Sequence, residues 1–297
     1  MKSGANNPPA QALATPARRC PVSSVTLPKF FLQRINLVTH PETQQPWLVP
    51  QDLDKKEPKS ATATATAENE PRSGPADATA NKTGPSSYIL SRQTLLQELG
   101  RPKSQYFCGQ RRLMRQSGSH LGTVLGVAAW HSDMDVVLLE LMRRRIVDSL
   151  LHFAEMVTKE DRKYLVRCER WDDAKELNHR GCLLFLGRGE GASSESGSEY
   201  EPPRLSTMDI EGVRFGGKLA VHDLRVLLGE THMSRLRRES ELLRGGSLFL
   251  LGRQATVNLQ MSLWKLQGYM DWGEQSDISP VDSPAEQSQE PSSGNEV

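Results

Sequence analysis

The chain has 297 residues, 37 of them Lys or Arg and 36 Asp or Glu, for a formal net charge of +1. Near-neutrality excludes attraction of the whole molecule to nucleic acid or anionic membrane, so any such attraction must be local. No stretch approaches the run of about 18 apolar residues that a membrane-spanning helix needs. The four cysteines, Cys20, Cys108, Cys168 and Cys182, include no C-x-x-C pair for zinc or redox work.

Hydrophobic residues make up 37% of the chain, and they are unevenly distributed. Residues 1–25 hold Lys2, Arg18 and Arg19, and the first acidic residue is Glu42. An acid-poor start containing Arg and Ser is the pattern of a mitochondrial transit peptide. Pro8, Pro9, Pro16 and Pro21 interrupt an amphipathic helix there, so the segment is expected to be disordered and targeting-like, with a plain tail as the alternative. Residues 26–50 carry Phe30, Phe31, Ile35, Leu37, Val38 and Trp47, an apolar arm expected to dock on a folded body. Residues 51–87, with their Ala/Thr run, cannot bury enough surface to offset ordering entropy and read as a disordered linker.

Residues 88–272 form the expected domain. Ser91–Leu99 reads as a short helix. Arg101–His131 is basic and glycine-punctuated. A long helix follows from Ser132 or Asp133 to about Val157, its stripe set by Leu139, Met142, Ile146, Leu150, Phe153 and Val157. Tyr164–Glu169 and Gly181–Leu186 read as a strand pair, which would let Cys168 and Cys182 face one another across a hairpin. Residues 187–206 are an acidic Gly/Ser/Glu insertion expected to be disordered. A short strand over Val213–Leu219, a helix over Val221–Leu228 closed by Gly229, a helix over Thr231–Leu243, a buried strand at Ser247–Leu251 and a helix over Thr256–Met270 complete the domain. The last helix carries apolar residues on two faces, which implies burial on two sides. Residues 273–297 are an acidic tail expected to be disordered, with Ser279-Pro280 and Ser283-Pro284 within it. The order of elements predicts one α+β domain with a small sheet rather than regular βαβ winding.

Catalytic patterns are incomplete. Gly118-Ser-His-Leu-Gly122 has His120 where a nucleophile elbow needs its Ser. Gly187-Arg-Gly-Glu-Gly191 follows a strand, but it opens into an acidic, helix-poor stretch that would repel a phosphate. His222-Asp223 and His131 with Asp133 pair acid and base types, and both fit helix starts more simply. Trp171-Asp172-Asp173 fits a polar turn. No catalytic residue, metal or cofactor is expected from these patterns.

The strongest functional signal is the acid-free stretch between Glu98 and Asp133. It holds Arg101, Lys103, Arg111, Arg112 and Arg115, with Tyr106 and Phe107 interleaved and glycines at 109, 118, 122 and 126. Guanidinium forks bind phosphate bidentately, aromatic rings stack on unpaired bases, and glycines let the backbone approach a ligand. The other readings of the same residues are a solvated basic loop and a surface for an acidic protein. Whether Arg143, Arg144 and Arg145 extend the patch depends on the fold.

The blocks LPKFFLQRINLVTHPETQQPWLVP, WHSDMDVVLLELMRRRIV and LWKLQGYMDW together resemble an uncharacterised family of fungal mitochondrial proteins. The resemblance covers the arm and both halves of the domain. It implies mitochondrial localisation and assigns no residue a role. The resulting expectation is a non-enzymatic accessory factor of the mitochondrial matrix, binding RNA or a ribonucleoprotein in mitochondrial gene expression. The nucleic-acid-binding residues would be Arg101, Lys103, Tyr106, Phe107, Arg111, Arg112 and Arg115. Two alternatives stand beside it: a structural or assembly adaptor for a protein complex, and an enzyme of unrecognised type using Asp172, Asp173 and a histidine. The Ser-Pro sites of the tail point toward cytosol or nucleus instead.

Overall fold

The structure, a computed structural model of the full chain, describes residues 7–51, 86–101, 128–168, 173–177, 180–187, 207–209 and 218–270. It is an α+β fold. The N-terminal part comprises helix α1 (Pro8–Leu13), the hairpin of β1 (Ala17–Arg19) and β2 (Thr26–Pro28), and a single helical turn at Lys29–Phe31. Strands β3 (Leu32–Thr39), β4 (Pro46–Pro50) and β5 (Ser86–Leu90) form an antiparallel sheet ordered β4-β3-β5. Helix α2 (Gln93–Gly100) and the long helix α3 (Met134–Glu160) follow. Then come β6 (Leu165–Cys168), the short α4 (Asp173–Glu176), β7 (Gly181–Phe185), β8 (Thr207–Asp209) and β9 (Lys218–Asp223). Helix α5 (Leu224–Glu239), β10 (Ser247–Leu251) and α6 (Val257–Tyr269) close the fold.

The larger sheet has order β6-β10-β7-β9-β8, with β7 and β9 parallel and the other neighbours antiparallel. This corrects the expected β6–β7 pairing. Leu248, Phe249, Leu250 and Leu251 are all buried, so β10 is apolar on both faces and takes an interior position between β6 and β7. Cys168 therefore pairs in register with Ser247, and Cys182 with Leu250, rather than with each other. The face of Cys182, Leu184, Leu248 and Leu250 packs under α3, α5 and α6. The opposite face, with Leu183, Val221, Phe249 and Leu251, packs with Ala174 of α4.

The stripe expected on α3 is in the core: Leu139, Ile146, Leu150 and Phe153 are buried, with Met142 and Val157 packed beside them. Of the strand expected over Val213–Leu219, residues 213–217 lie outside those described; its last two residues begin β9, Lys218–Asp223. Its parallel register with β7 places His222 opposite Leu184, so α5 starts only at Leu224. The two expected helices around Gly229 run together as α5, kinked where Gly229 takes φ 73°.

The N-terminal region departs most from expectation. Residues 7–25 are structured rather than disordered, with Ala12 and Cys20 fully buried. Pro8 and Pro9 occupy the first turn of α1, where proline's missing N–H costs nothing and its fixed φ suits a helix. Arm residues do contact the body: Phe30 and Phe31 lie 5.5 and 5.4 Å from the Trp264 ring of α6. This contact explains why α6 is apolar on two sides, because Leu259, Leu263 and Leu266 face the main core. The arm is more than an appendage, since β3 is the middle strand of a sheet completed by β5. Ile35, Leu37, Leu48 and Ile89 of that sheet form a second core with Leu95 and Leu99 of α2, and Trp130 touches both cores.

Candidate nucleic-acid interface

The basic segment begins at the end of α2 and finishes at the start of α3, and the fold brings these two points together. Gly100 lies so close to Ser132 that a Cβ on Gly100 would stand 2.7 Å from the Ser132 carbonyl oxygen. One turn back on α2, Gln97 Nε2 donates to Asp135 Oδ2 at 2.9 Å. The returning chain is also pinned to the edge of β4. Leu48 N donates to Ala129 O at 3.0 Å, and Ala129 N donates to Pro46 O at 2.8 Å. The last helix reaches the same place, because Tyr269 Oη donates to the Asp135 carbonyl at 2.8 Å.

Of the seven residues read from the sequence as nucleic-acid-binding, Arg101 is described. Its side chain is exposed and its Nη1 lies 2.6 Å from Glu98 Oε1. Such an exposed pair contributes little and leaves the guanidinium available to a stronger anion. Lys103, Tyr106, Phe107, Arg111, Arg112 and Arg115 lie outside the described residues.

The arginine run on α3 does not act as a block. Arg143 turns toward α5, its Nε donating to the Leu227 carbonyl at 2.9 Å and its Nη1 lying 3.3 Å from Glu140. Arg144 is exposed and stands about 15 Å along the helix axis from Met134, at 1.5 Å per residue. Arg235 is likewise occupied, with Asp148 at 2.8 Å and Glu239 at 3.1 Å, so it joins α5 to α3.

An aromatic cluster that the sequence reading missed sits at the root of the basic segment. The Trp47 ring lies 4.7 Å from the His40 ring and 6.1 Å from the His131 ring. The pairing of Ala129 beside Trp47 on β4 is what brings His131 there. His40 Nδ1 accepts from the backbone N–H groups of Glu42 and Thr43 at 3.3 and 3.2 Å, which holds that ring in its turn. His131 Nδ1 is hydrogen-bonded to Asp133 Oδ1, and the His131 side chain is 53% exposed. The Trp47 indole N–H is shielded from solvent and has no hydrogen-bond partner among the described residues. Indole and imidazole are ordinary surface residues separately; only the strand pairing makes them one group.

The acid/base pairs considered from sequence are accounted for locally. His222 is buried, its Nδ1 donating to Gln267 Oε1 at 3.1 Å, and burial pushes its pKa down to about 4. Asp223 caps α5, accepting from the Arg225 backbone N–H at 3.0 Å and from the Arg225 guanidinium at 2.8 Å. Asp173 begins α4, while Trp171 and Asp172 lie outside the described residues. Burial raises the Cys182 thiol to about 12; burial, with the Asp173 charge, raises Cys168 to about 11. Both thiols stay protonated and poorly nucleophilic at neutral pH. Among the described residues no three His, Cys, Asp or Glu side chains are grouped as metal ligands.

A groove of about 880 Å³ runs between the second half of α3 and the end of α5, lined in part by Asp148, Glu155, Lys159, Arg167, Arg235 and Glu239. Lys159 pairs with Glu155 at 2.6 Å, and Arg167 donates to the carbonyls of Gly245 and Leu242. Its cations are therefore engaged within the protein.

No helix among the described residues is long and apolar enough to cross a membrane. Comparison of the chain with protein-family models, curated proteins and solved structures finds no match.

Proposed function

We propose that the protein is a non-enzymatic accessory factor that binds RNA or a ribonucleoprotein, and that it works in the mitochondrial matrix. One observation carries the reading: the fold fixes both ends of an acid-free segment beside one another, at Gly100 and Ser132. Arg101 stands exposed at this point of the surface, and Lys103, Arg111, Arg112 and Arg115 follow it in the sequence of the same segment. The molecule as a whole is close to neutral, so this is a local cationic site rather than a general attraction. Tyr106 and Phe107 in the same stretch favour single-stranded RNA over an acidic protein, because an unpaired base offers a ring to stack on. The mitochondrial address rests on the acid-poor composition of the start alone, since Ala12 and Cys20 are buried in the fold rather than held in a removable leader.

The test is native recovery of the full chain from fractionated cells, split into nuclease-treated and untreated halves. Recovery with mitochondria, in assemblies that nuclease disperses, is the expected result. A stoichiometric protein partner that survives nuclease would overturn the RNA reading and make the molecule an adaptor.

A further inference from the structure

We infer that the His40–Trp47–His131 cluster is a stacking platform for an unpaired nucleobase. The inference rests on the RNA reading above and adds to it a second element made only of described residues.

Three observations point there. His40 and Trp47 come from the β3–β4 hairpin and His131 from the chain that returns beside β4, and the three rings lie against one another at centroid distances of 4.7 and 6.1 Å, tilted by 36° and 48°. The outermost ring, His131, is half-exposed and hydrogen-bonded to Asp133, so it presents a ring face to solvent. The cluster also adjoins the mouth of the basic segment: Ser132, next to His131, contacts Gly100, next to the exposed Arg101. A cationic tether for phosphate beside an aromatic plane is the arrangement by which single strands are held without sequence preference. Apolar peptide is a poorer fit, because the exposed ring is a polar imidazole and the neighbouring side chain is a guanidinium.

The experiment compares binding of the full chain to a labelled oligoadenylate and to an abasic ribose-phosphate oligomer of the same length and charge. The intact protein should prefer oligoadenylate by about tenfold, the order given by one stacked base. H131A, and more fully H40A/H131A, should reduce that preference, leaving the share that Tyr106 and Phe107 contribute, and keep the affinity for the abasic oligomer. H131Y should retain it, since tyrosine supplies a ring without the imidazole. Because His40 also holds a turn, H131A alone, with an unchanged melting temperature, suffices for the decision. Equal binding of both oligomers by the intact protein, or an undiminished preference in H131A, would overturn the platform and leave phosphate binding by the basic segment standing. Binding of neither oligomer would instead overturn the RNA reading, and the platform with it.

Discussion

Tyr269 donates its phenolic hydrogen to the backbone carbonyl of Asp135 at 2.8 Å, with the Tyr269 residue fully buried. This bond ties the end of α6 to the first turn of α3, at the point where the basic segment re-enters the fold. Burial, with the Asp135 charge, raises the phenol far above its ordinary pKa, so the group remains a donor across the working pH range.

Replacing Tyr269 by Phe keeps the ring and removes the donor. The Asp135 carbonyl would be left without this partner, at a cost of about 1–2 kcal/mol. Urea unfolding of Y269F should show a lower midpoint with an unchanged slope. An unchanged midpoint would mean that the bond contributes nothing to stability.

Glycine matters at Gly181, where backbone and ring close in. A Cβ at this position in β7 would overlap the Leu250 carbonyl and the Phe249 ring. G181A should destabilise the protein by about 2 kcal/mol or more, because neither backbone nor a fully packed ring can yield easily. Gly268 in α6 is the control, since a Cβ there meets nothing within 4 Å. G268A should be neutral or stabilising by about 0.5–1 kcal/mol. Thermal unfolding should therefore show a lowered melting temperature for G181A and no lowering for G268A.

Residues 7–25 are built into the fold, so a chain cut between Arg19 and Cys20, or shortened by residues 1–25, should be less stable. Losing the buried Ala12, Cys20 and Val22 contacts costs on the order of 3 kcal/mol. For a domain of this size that is roughly a 6–12 °C fall in melting temperature. A shortened chain that melts with the full one would show that α1 and β1 add nothing to the packing.

His222 gives a pH dependence of definite sign. Its folded pKa is about 4, below the ordinary 6.5, so between these values the unfolded chain binds the proton more readily. Its contribution is absent above pH 6.5, grows as a destabilisation while pH falls toward 4, and is complete below that. The ceiling is about 3 kcal/mol. Substitution by Asn, which can still donate to Gln267, should flatten this part of the stability profile relative to the parent. Parallel profiles would assign the acid sensitivity to other groups.

How much of this was legible in the sequence depends on the range of the interactions. The α3 stripe and the two apolar faces of α6 are repeated within a few turns, so local periodicity reveals them. His222-Asp223 was readable as fitting a helix start, but the helix was expected from Val221 and begins at Leu224. Strand order was not: the apolar run of Ser247–Leu251 reads as a buried strand, but its pairing with β6 on one side and β7 on the other is a long-range matter that no local pattern states. Pro8 and Pro9 misled because proline breaks a helix interior but suits its first turn. For the candidate site, Arg101 and the charge of its segment were readable. The His40–Trp47–His131 grouping was not, because His131 joins the hairpin residues His40 and Trp47 only through the pairing of Ala129 with β4. The inward turn of Arg143 likewise depends on the position of the Leu227 carbonyl.

The central claim is that the cations between Glu98 and Asp133 hold RNA phosphates. It is tested most directly by the salt dependence of RNA affinity in the full chain and in R111A/R112A/R115A. The account predicts weaker binding by the triple variant and a log–log salt slope shallower by about 2, near 0.7 per lost phosphate contact on single strands. Identical affinity and slope in the two proteins would contradict it.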